Sequence, residues 1–313
     1  MIPQDKRPYF RKKILIEGNC LFLMGPIGTF FARLSNYLEK NNIRTYKISF
    51  PLYEYGFPKS RLIKFHQDIY LFKNFLKEIL IDKEIKHIFM YGNVLIPHRQ
   101  ALTLVEELKK KDISINTHIF ELGYLRPNFV TLESKGINFS SSFIKSREFY
   151  LEQDSYKSLP IPKKHARFRI RKIWKMIAFL NHSFKNYKIV NKPHKLEPKP
   201  IYIWYQIKGF FLKFYFKFSE YKLKRKCLFE KKFFLVILQV STDSQVTEGS
   251  DIKNNEKFIY KVIKDFAKVN ADYNLVFKHH PRDRGYINYS NQIVKFSKEF
   301  GVYKKVFYIH DYF

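Results

Sequence analysis

The densest chemistry in this 313-residue sequence lies at Phe277-Lys278-His279-His280-Pro281-Arg282-Asp283-Arg284-Gly285-Tyr286, where two imidazoles meet three cationic side chains. Such a cluster suits negative charge. Lys278, Arg282 or Arg284 would pair with an anionic oxygen while His279 or His280 donates a hydrogen bond, so a phosphate or a nucleotide is the natural ligand. On charge alone, a solvated basic loop accounts for the same residues.

Carboxylates and amides offer a second kind of chemistry. Glu121 and Glu133 flank a loop shaped by Gly123, Pro127 and Gly136, and a carboxylate held there can serve as a general base. With Arg126 close in sequence, Glu121 reads equally as half of an ion pair. Gln239, Asp243 and Gln245 follow an apolar run and could handle a sugar, although Asp243 fits a helix cap or a turn as well. Near the start, Gly25-Pro26-Ile27-Gly28-Thr29 makes a turn in which Gly25 and Gly28 would let a ligand approach a helix N-terminus. The turn matches neither the dinucleotide fingerprint nor the P-loop, and packing alone would explain it.

These residues need elements to hold them. Cys20–Met24 reads as a strand, Phe30 to Leu38 as an amphipathic helix, Thr45–Phe50 as a strand, Arg61–Ile81 as a helix and His87–Tyr91 as a strand. Ala101–Lys110 continues as a helix and Thr117–Phe120 as a buried strand. This alternation predicts a parallel sheet with helices on both faces. From Ser146 to Lys226 it breaks into basic, proline-punctuated segments with helical stretches near Arg169–Phe184 and Ile201–Lys226. It resumes with Phe233–Val240 (strand), Asn255–Lys268 (helix), Tyr273–Phe277 (strand) and Val306–His310 (strand). The expected organisation is an α/β domain over 1–150, a connection over 151–227 and a second α/β domain over 228–313. That second domain lacks a closing helix and further strands, so it reads as incomplete. The basic cluster then falls at a strand's carboxyl end, where open α/β sheets bind ligands.

Composition narrows the partners. Lys and Arg number 58 against 28 Asp and Glu, a formal charge of +30 that attracts nucleic acid, an acidic membrane surface or charged substrates. Cys20 and Cys227 have no metal-ligand spacing, so neither a zinc site nor a disulfide framework is indicated. The charged stretch Met1–Lys13 is not followed by a signal-type cleavage region, and Cys20–Met24 is too short to span a bilayer. A cytoplasmic protein is expected. Ile201–Tyr221 is rich in aromatics, but Lys208, Lys213 and Lys217 interrupt it, which fits an interfacial or core-packing helix. No nucleic-acid reader motif is present.

Several segments in order carry a resemblance: Gly25-Pro26-Ile27-Gly28-Thr29-Phe30-Phe31, Phe120-Glu121-Leu122-Gly123-Tyr124-Leu125-Arg126-Pro127, Thr131-Leu132-Glu133, Leu238-Gln239-Val240 with Asp243-Ser244-Gln245, His279-His280-Pro281 and Tyr308-Ile309-His310-Asp311. Together they resemble the KpsS/LipB family of capsular polysaccharide proteins. The resemblance implies a GT-B-like architecture, two Rossmann-like domains facing a cleft, and a retaining β-Kdo transferase. CMP-Kdo would be the donor and a lysophosphatidylglycerol terminus the acceptor. The enzyme would lie on the anionic inner face of the cytoplasmic membrane, with other capsule assembly proteins as partners, and no nucleic acid. His280 and Pro281 would meet the CMP phosphate, Asp243 would be the nucleophile and Glu121 the acid/base, with the two roles exchangeable. Arg126 would orient Glu121 or meet the Kdo carboxylate, and Gln239 would position the sugar. Cationic side chains would offset the departing nucleotide's charge, so no metal or cofactor is expected. The sequence departs from the family pattern at Leu122, where a second acid is expected, and it stops before a Ser/Thr-bearing segment that would help hold the nucleotide. A non-catalytic capsule export or assembly component is the alternative, and a nucleic-acid-binding protein a more distant one.

Overall fold

The computed structural model describes residues 16–26, 28–49, 56–123, 129–142, 146–151, 200–229, 232–269 and 272–311. The chain divides into two compact units, Met1–Glu197 and Pro198–Phe313. Each carries a parallel sheet with helices against it, so the expected α/β class is present.

The first unit is built on β1 (Asn19–Phe22), β2 (Thr45–Ser49), β3 (Leu62–Lys64), β4 (Ile85–Tyr91), β5 (Asn116–Leu122) and β6 (Val130–Glu133), in the order β3-β2-β1-β4-β5-β6. All neighbours pair in parallel except β5 and β6. Side chains alternate across the pleat and so build two cores. Leu21, Ile88, Met90 and Ile119 face helices α2 (Phe72–Asp82) and α3 (Ile96–Lys109). On the other face, Cys20, Phe22, Phe89 and Phe120 meet Phe31 and Leu38 of α1 (Phe30–Glu39). The chain order reverses between β1 and β4, which puts a topological switch point at their carboxyl ends.

Two elements differ from the sequence expectation. The helix expected over Arg61–Ile81 begins only at Phe72, because Leu62–Lys64 pairs with Lys47–Ser49 and takes the open edge of β2. Asp68 then starts a short 3-10 turn by accepting the Tyr70 N–H at 2.9 Å. The loop between Glu121 and Glu133 returns as β6, pairing Phe120 with Leu132. α4 (Arg147–Leu151) closes the described part of this unit.

In the second unit, β7 (Phe233–Ile237), β8 (Asn274–Lys278) and β9 (Val306–Ile309) run parallel in sequential order. Every residue of the central strand β8 is buried. One face of the sheet carries helices α8 (Asn255–Phe266) and α9 (Ser290–Glu299), through Ile259, Ile263, Ile293 and Phe296 against Leu275 and Phe277. On the opposite face, Val276 and Ile309 pack with Leu223. Leu223 belongs to α6 (Tyr221–Phe229), which follows the long helix α5 (Pro200–Ser219). β7 carries exposed Phe234, Leu235 and Ile237, which its apolar run does not foretell. Among the described residues it pairs on one side only.

The expected connection over 151–227 therefore ends earlier. Its residues 152–199, including the helix expected near Arg169–Phe184, lie outside the described residues, while α5 and α6 belong to the second unit. No helix among the described residues is long and apolar enough to cross a membrane.

Candidate functional site

In the second unit, two loops leave the carboxyl ends of β7 and β8 and are tied together by buried polar groups. Asp283 Oδ2 accepts the Ser241 N–H at 2.6 Å, and its carbonyl accepts the N–H groups of Tyr286 and Ile287. Asn255, buried at the start of α8, donates to the Gln239 carbonyl at 2.8 Å and to the Tyr289 hydroxyl at 3.1 Å. These bonds leave the loop tips little freedom, which is what a site needs before it can orient a ligand.

His280 sits at the tip, half-buried. Its Nδ1 accepts the Arg282 N–H at 3.1 Å, so in the neutral ring the proton resides on Nε2. Burial pushes its pKa below the ordinary 6.5, with Arg282 and Lys278 adding to the effect, while Asp283 and Asp243 oppose it. At neutral pH the side chain is thus an uncharged donor beside the exposed Arg282. Pro281, Arg282 and Arg284 line an open cavity with Tyr205, Gln206 and Lys213 of α5. Asp243 caps α7 (Ser244–Thr247), its Oδ1 accepting the Gln245 N–H at 2.9 Å. The capping alternative is therefore realised in the fold.

Arg284, although it lines the cavity, is buried and donates to the His310 carbonyl at 3.0 Å, and two further residues of the basic cluster point elsewhere than expected. Lys278 is buried, and its ammonium donates to the carbonyls of His279 and His310 at 3.0 and 3.2 Å. His279 is also buried, with Nδ1 2.6 Å from the Tyr308 hydroxyl. Neither is turned outward to a ligand. The cause is that the sheet outlasts the apolar run: Lys278 pairs with Ile309, and the His279 N–H bonds the Ile309 carbonyl at 2.8 Å. Both side chains are therefore still inside the sheet layer. Burial, with the nearby Lys278 and other cations, pushes the His279 pKa down to about 3, so the ring is neutral.

Burial and Arg284 push the Lys278 pKa down to about 8, against the pull of Glu220 and Asp311. This yields a pH prediction. The folded ammonium loses its proton near pH 8 and the unfolded one near 10.5, so between these values the unfolded chain binds more protons and stability rises with pH. Below pH 8 the full penalty of the buried charge is present. Lys278→Met should flatten the rise between pH 8 and 10 in urea-unfolding midpoints, and an unchanged slope would show that another group titrates there.

Sequence reasoning missed the residue that holds this unit's layers together. Glu220, at the break between α5 and α6, accepts the His310 N–H through both carboxylate oxygens at 3.0 and 2.9 Å, the Asp311 N–H at 2.9 Å and His310 Nδ1 at 2.9 Å. The His310 ring stacks on Phe216 with centroids 4.1 Å apart. The available signal was a lone acid inside the basic, aromatic stretch from Lys208 to Arg225.

α5 also needs Gly285. A methyl group there would overlap the Tyr205 carbonyl and come within 2.7 Å of the Gly209 nitrogen, both backbone atoms that cannot swing aside. Gly285→Ala should cost about 3 kcal/mol, at the upper end of overpacking penalties, and open the cavity beside Arg282. A thermal midpoint within 1 °C of wild type would contradict this.

In the first unit, Glu121 is the next-to-last residue of β5 and accepts the Tyr91 hydroxyl at 2.9 Å and the Leu122 N–H at 2.8 Å. Tyr91 ends β4, and its N–H bonds the Met24 carbonyl next to Gly25. Gly25, Tyr91 and Glu121 thus meet at the switch point. Gly25 packs so closely on Phe31 that a Cβ would lie 2.6 Å from the ring, and Gly28 takes φ +117°, a conformation that favours glycine. Glu133, by contrast, is committed to the hydroxyl of Ser141 and the N–H of Ser142.

A family model described as "Capsule polysaccharide biosynthesis protein" matches residues 93–313. This chain belongs to that capsule family. The capsule polysaccharide modification protein LipB of Neisseria meningitidis serogroup A is 30% identical over 94% of this chain and 72% of its own. The capsule polysaccharide export protein KpsS of Escherichia coli is 27% identical over 95% of this chain and 77% of its own. Among solved structures, a UDP-GlcNAc 2-epimerase from Neisseria meningitidis bound to UDP-GlcNAc covers 94% of this chain and 72% of its own, at 11% identity and a TM-score of 0.26. So low a TM-score adds nothing to what the two sheets establish by themselves.

In this capsule-family chain, the candidate residues thus fall into two groups. Gly25, Gly28 and Glu121 belong to the first unit. His280, Pro281, Arg282, Gln239, Asp243 and Gln245 gather at the β7 and β8 ends of the second, with Gln239 exposed. Arg126 lies outside the described residues. Among the described residues, no group of three His, Cys, Asp or Glu side chains is placed to hold a metal ion.

Proposed function

We propose that this capsule-family chain is a GT-B-like retaining glycosyltransferase that moves Kdo from CMP-Kdo to a lysophosphatidylglycerol acceptor, starting the linker of a capsular polysaccharide. It would act at the inner face of the cytoplasmic membrane. The observation that carries the reading is the tip of the β8 loop, where His280 presents Nε2–H beside Arg282 at the carboxyl end of a parallel strand. A phosphate there receives a neutral donor and a permanent cation, and the charge leaving with CMP is stabilised without a metal.

In this mechanism the Asp243 carboxylate attacks the anomeric carbon as the bond to CMP breaks and its electron pair leaves with the phosphate. A glycosyl ester results. Glu121 then takes the proton of the acceptor hydroxyl, whose oxygen displaces Asp243, and two inversions give net retention. The exchanged assignment, with Glu121 as nucleophile and Asp243 as base, obeys the same stereochemistry. Gln239 and Gln245 would position the sugar, and Gly25 and Gly28 would let the acceptor approach the switch point of the first unit.

The test is mass spectrometry of a lysophosphatidylglycerol analogue incubated with the chain and freshly generated CMP-Kdo. One added Kdo is expected, and His280→Ala should weaken CMP-Kdo binding roughly tenfold or more, the worth of one charge-assisted hydrogen bond. Absence of both transfer and CMP-Kdo binding would overturn the reading and favour a non-catalytic export component.

A further inference from the structure

Helix α5 has two apolar faces, and the fold uses only one. Along residues 204–220, the positions that are not exposed are Tyr205, Gly209, Leu212, Phe216 and Glu220, spaced by three or four residues as a single helical stripe demands. That stripe lies against the 281–288 loop and His310. Trp204, Ile207, Phe211, Phe214, Tyr215 and Phe218 occupy the opposite stripe, each at least 45% exposed. From Trp204 to Phe218 this outer stripe extends about 21 Å at the helical rise of 1.5 Å per residue. Six large apolar side chains in one exposed row exceed the scattered surface hydrophobics of an ordinary soluble protein.

We infer that the outer face of α5 is the surface by which this protein docks onto an anionic lipid bilayer, lying in the interface rather than crossing it. Three observations favour a membrane as the occupant. Apart from Ile207 the row is built of Trp, Tyr and Phe, the side chains that settle at the boundary between hydrocarbon and headgroups. Exposed lysines border it, with Lys208 on one flank and Lys213 and Lys217 on the other, and such side chains can lay their stems along the apolar row while their ammonium groups reach lipid phosphates. A second copy of the chain is a poor occupant, because a self-paired contact would set these lysines against themselves on a molecule of formal charge +30.

The docking face and the nucleotide-side cavities share one helix. Lys213 lines the cavity that holds Pro281 and Arg282, and Lys208 lines the neighbouring one with His310 and Arg284. A helix seated at the headgroup level would hold those cavities within a helix diameter of the lipid, about 10 Å. This deepens the proposed reaction by naming where the lipid acceptor is met, and for the acceptor it rests on that reading.

The experiment is co-sedimentation of the full chain with vesicles of phosphatidylcholine alone or mixed with 30% phosphatidylglycerol, together with the emission of Trp204 in a Trp174→Phe background. Expected are preferential binding to the anionic vesicles, a blue shift of Trp204 on binding, and at least tenfold weaker partitioning of a Phe211→Ser/Phe214→Ser/Phe218→Ser variant with unchanged far-ultraviolet circular dichroism. Lys217→Gln should weaken binding and shrink its salt dependence. Equal binding of the triple variant, equal binding to neutral vesicles, or Trp204 emission that does not move would each overturn the inference. So would a self-association or an oligonucleotide complex that the triple variant abolishes while vesicle binding persists. Transfer of Kdo to a detergent-dispersed acceptor separates the two readings: vesicle binding without transfer removes the reaction and leaves the docking face, and transfer without vesicle binding does the reverse.

Discussion

Glu220→Ala should lower the stability of the second unit by about 3–5 kcal/mol, the usual consequence of removing one partner from a buried charged network. The carboxylate is buried and takes the backbone N–H groups of His310 and Asp311 and the His310 ring nitrogen. Truncation leaves these buried donors without their acceptor. It also removes a negative charge that faces Lys278, whose ammonium is already strained by burial. Lys224 keeps its own partner in Asp311, so the loss is concentrated on the α5–β9 contact. Glu220→Gln retains two acceptor sites and should cost less, about 1–3 kcal/mol. Urea unfolding followed by Trp204 emission, in the Trp174→Phe background, reads this unit directly. An Ala variant within 1 kcal/mol of wild type would mean that α5 is held by apolar packing alone.

The importance of Glu220 explains where reading the sequence stopped. Strands covered on both faces, such as β1, β4 and β8, carry uninterrupted apolar stretches at Cys20–Phe22, Ile88–Tyr91 and Leu275–Phe277, and these give the strong signal. β3 and β6 occupy the two edges of the first sheet, are three and four residues long, and bury little, so neither alternation nor apolarity marks them. Helix α9 went unread for a related reason: it buries little beyond Ile293 and Phe296, among polar neighbours. The order of motifs was legible enough to place the chain in its family, since Gly25, Glu121, His280 and Pro281 stand in a sequence of types that spacing alone rarely produces. What the order could not convey is direction. Lys278 and His279 look like the natural continuation of a basic loop, and only the pairing with β9 turns them inward. Residues that act by holding others, such as Asp283 across to Ser241 and Tyr91 onto Glu121, are likewise invisible until the strands that carry them are neighbours.

Asp243 raises the sharpest question, because the fold gives it one role and the chemistry proposes another. As the N-cap of α7 it accepts the Gln245 N–H, a role that Asn fills about as well as Asp. As a nucleophile it must carry a negative charge, which Asn lacks. The two roles therefore separate by substitution. Asp243→Asn should leave the unfolding midpoint nearly unchanged, within about 0.5 kcal/mol, while transfer falls by a factor of roughly 10³ or more, the scale of losing a covalent catalyst. Asp243→Ala should lose the same activity and in addition about 1 kcal/mol of stability through the missing cap. Its negative potential also reaches His280, so CMP binding should persist or tighten slightly in both variants rather than disappear. Transfer at wild-type rate in the Asn variant would make Asp243 a cap and nothing more, and would pass the nucleophile's role to Glu121. A variant that binds CMP yet never forms product, with Glu121→Gln equally inactive, would leave both carboxylates in the reaction. Trapping the glycosyl ester on one of them then decides their order, because only the nucleophile gains the mass of Kdo.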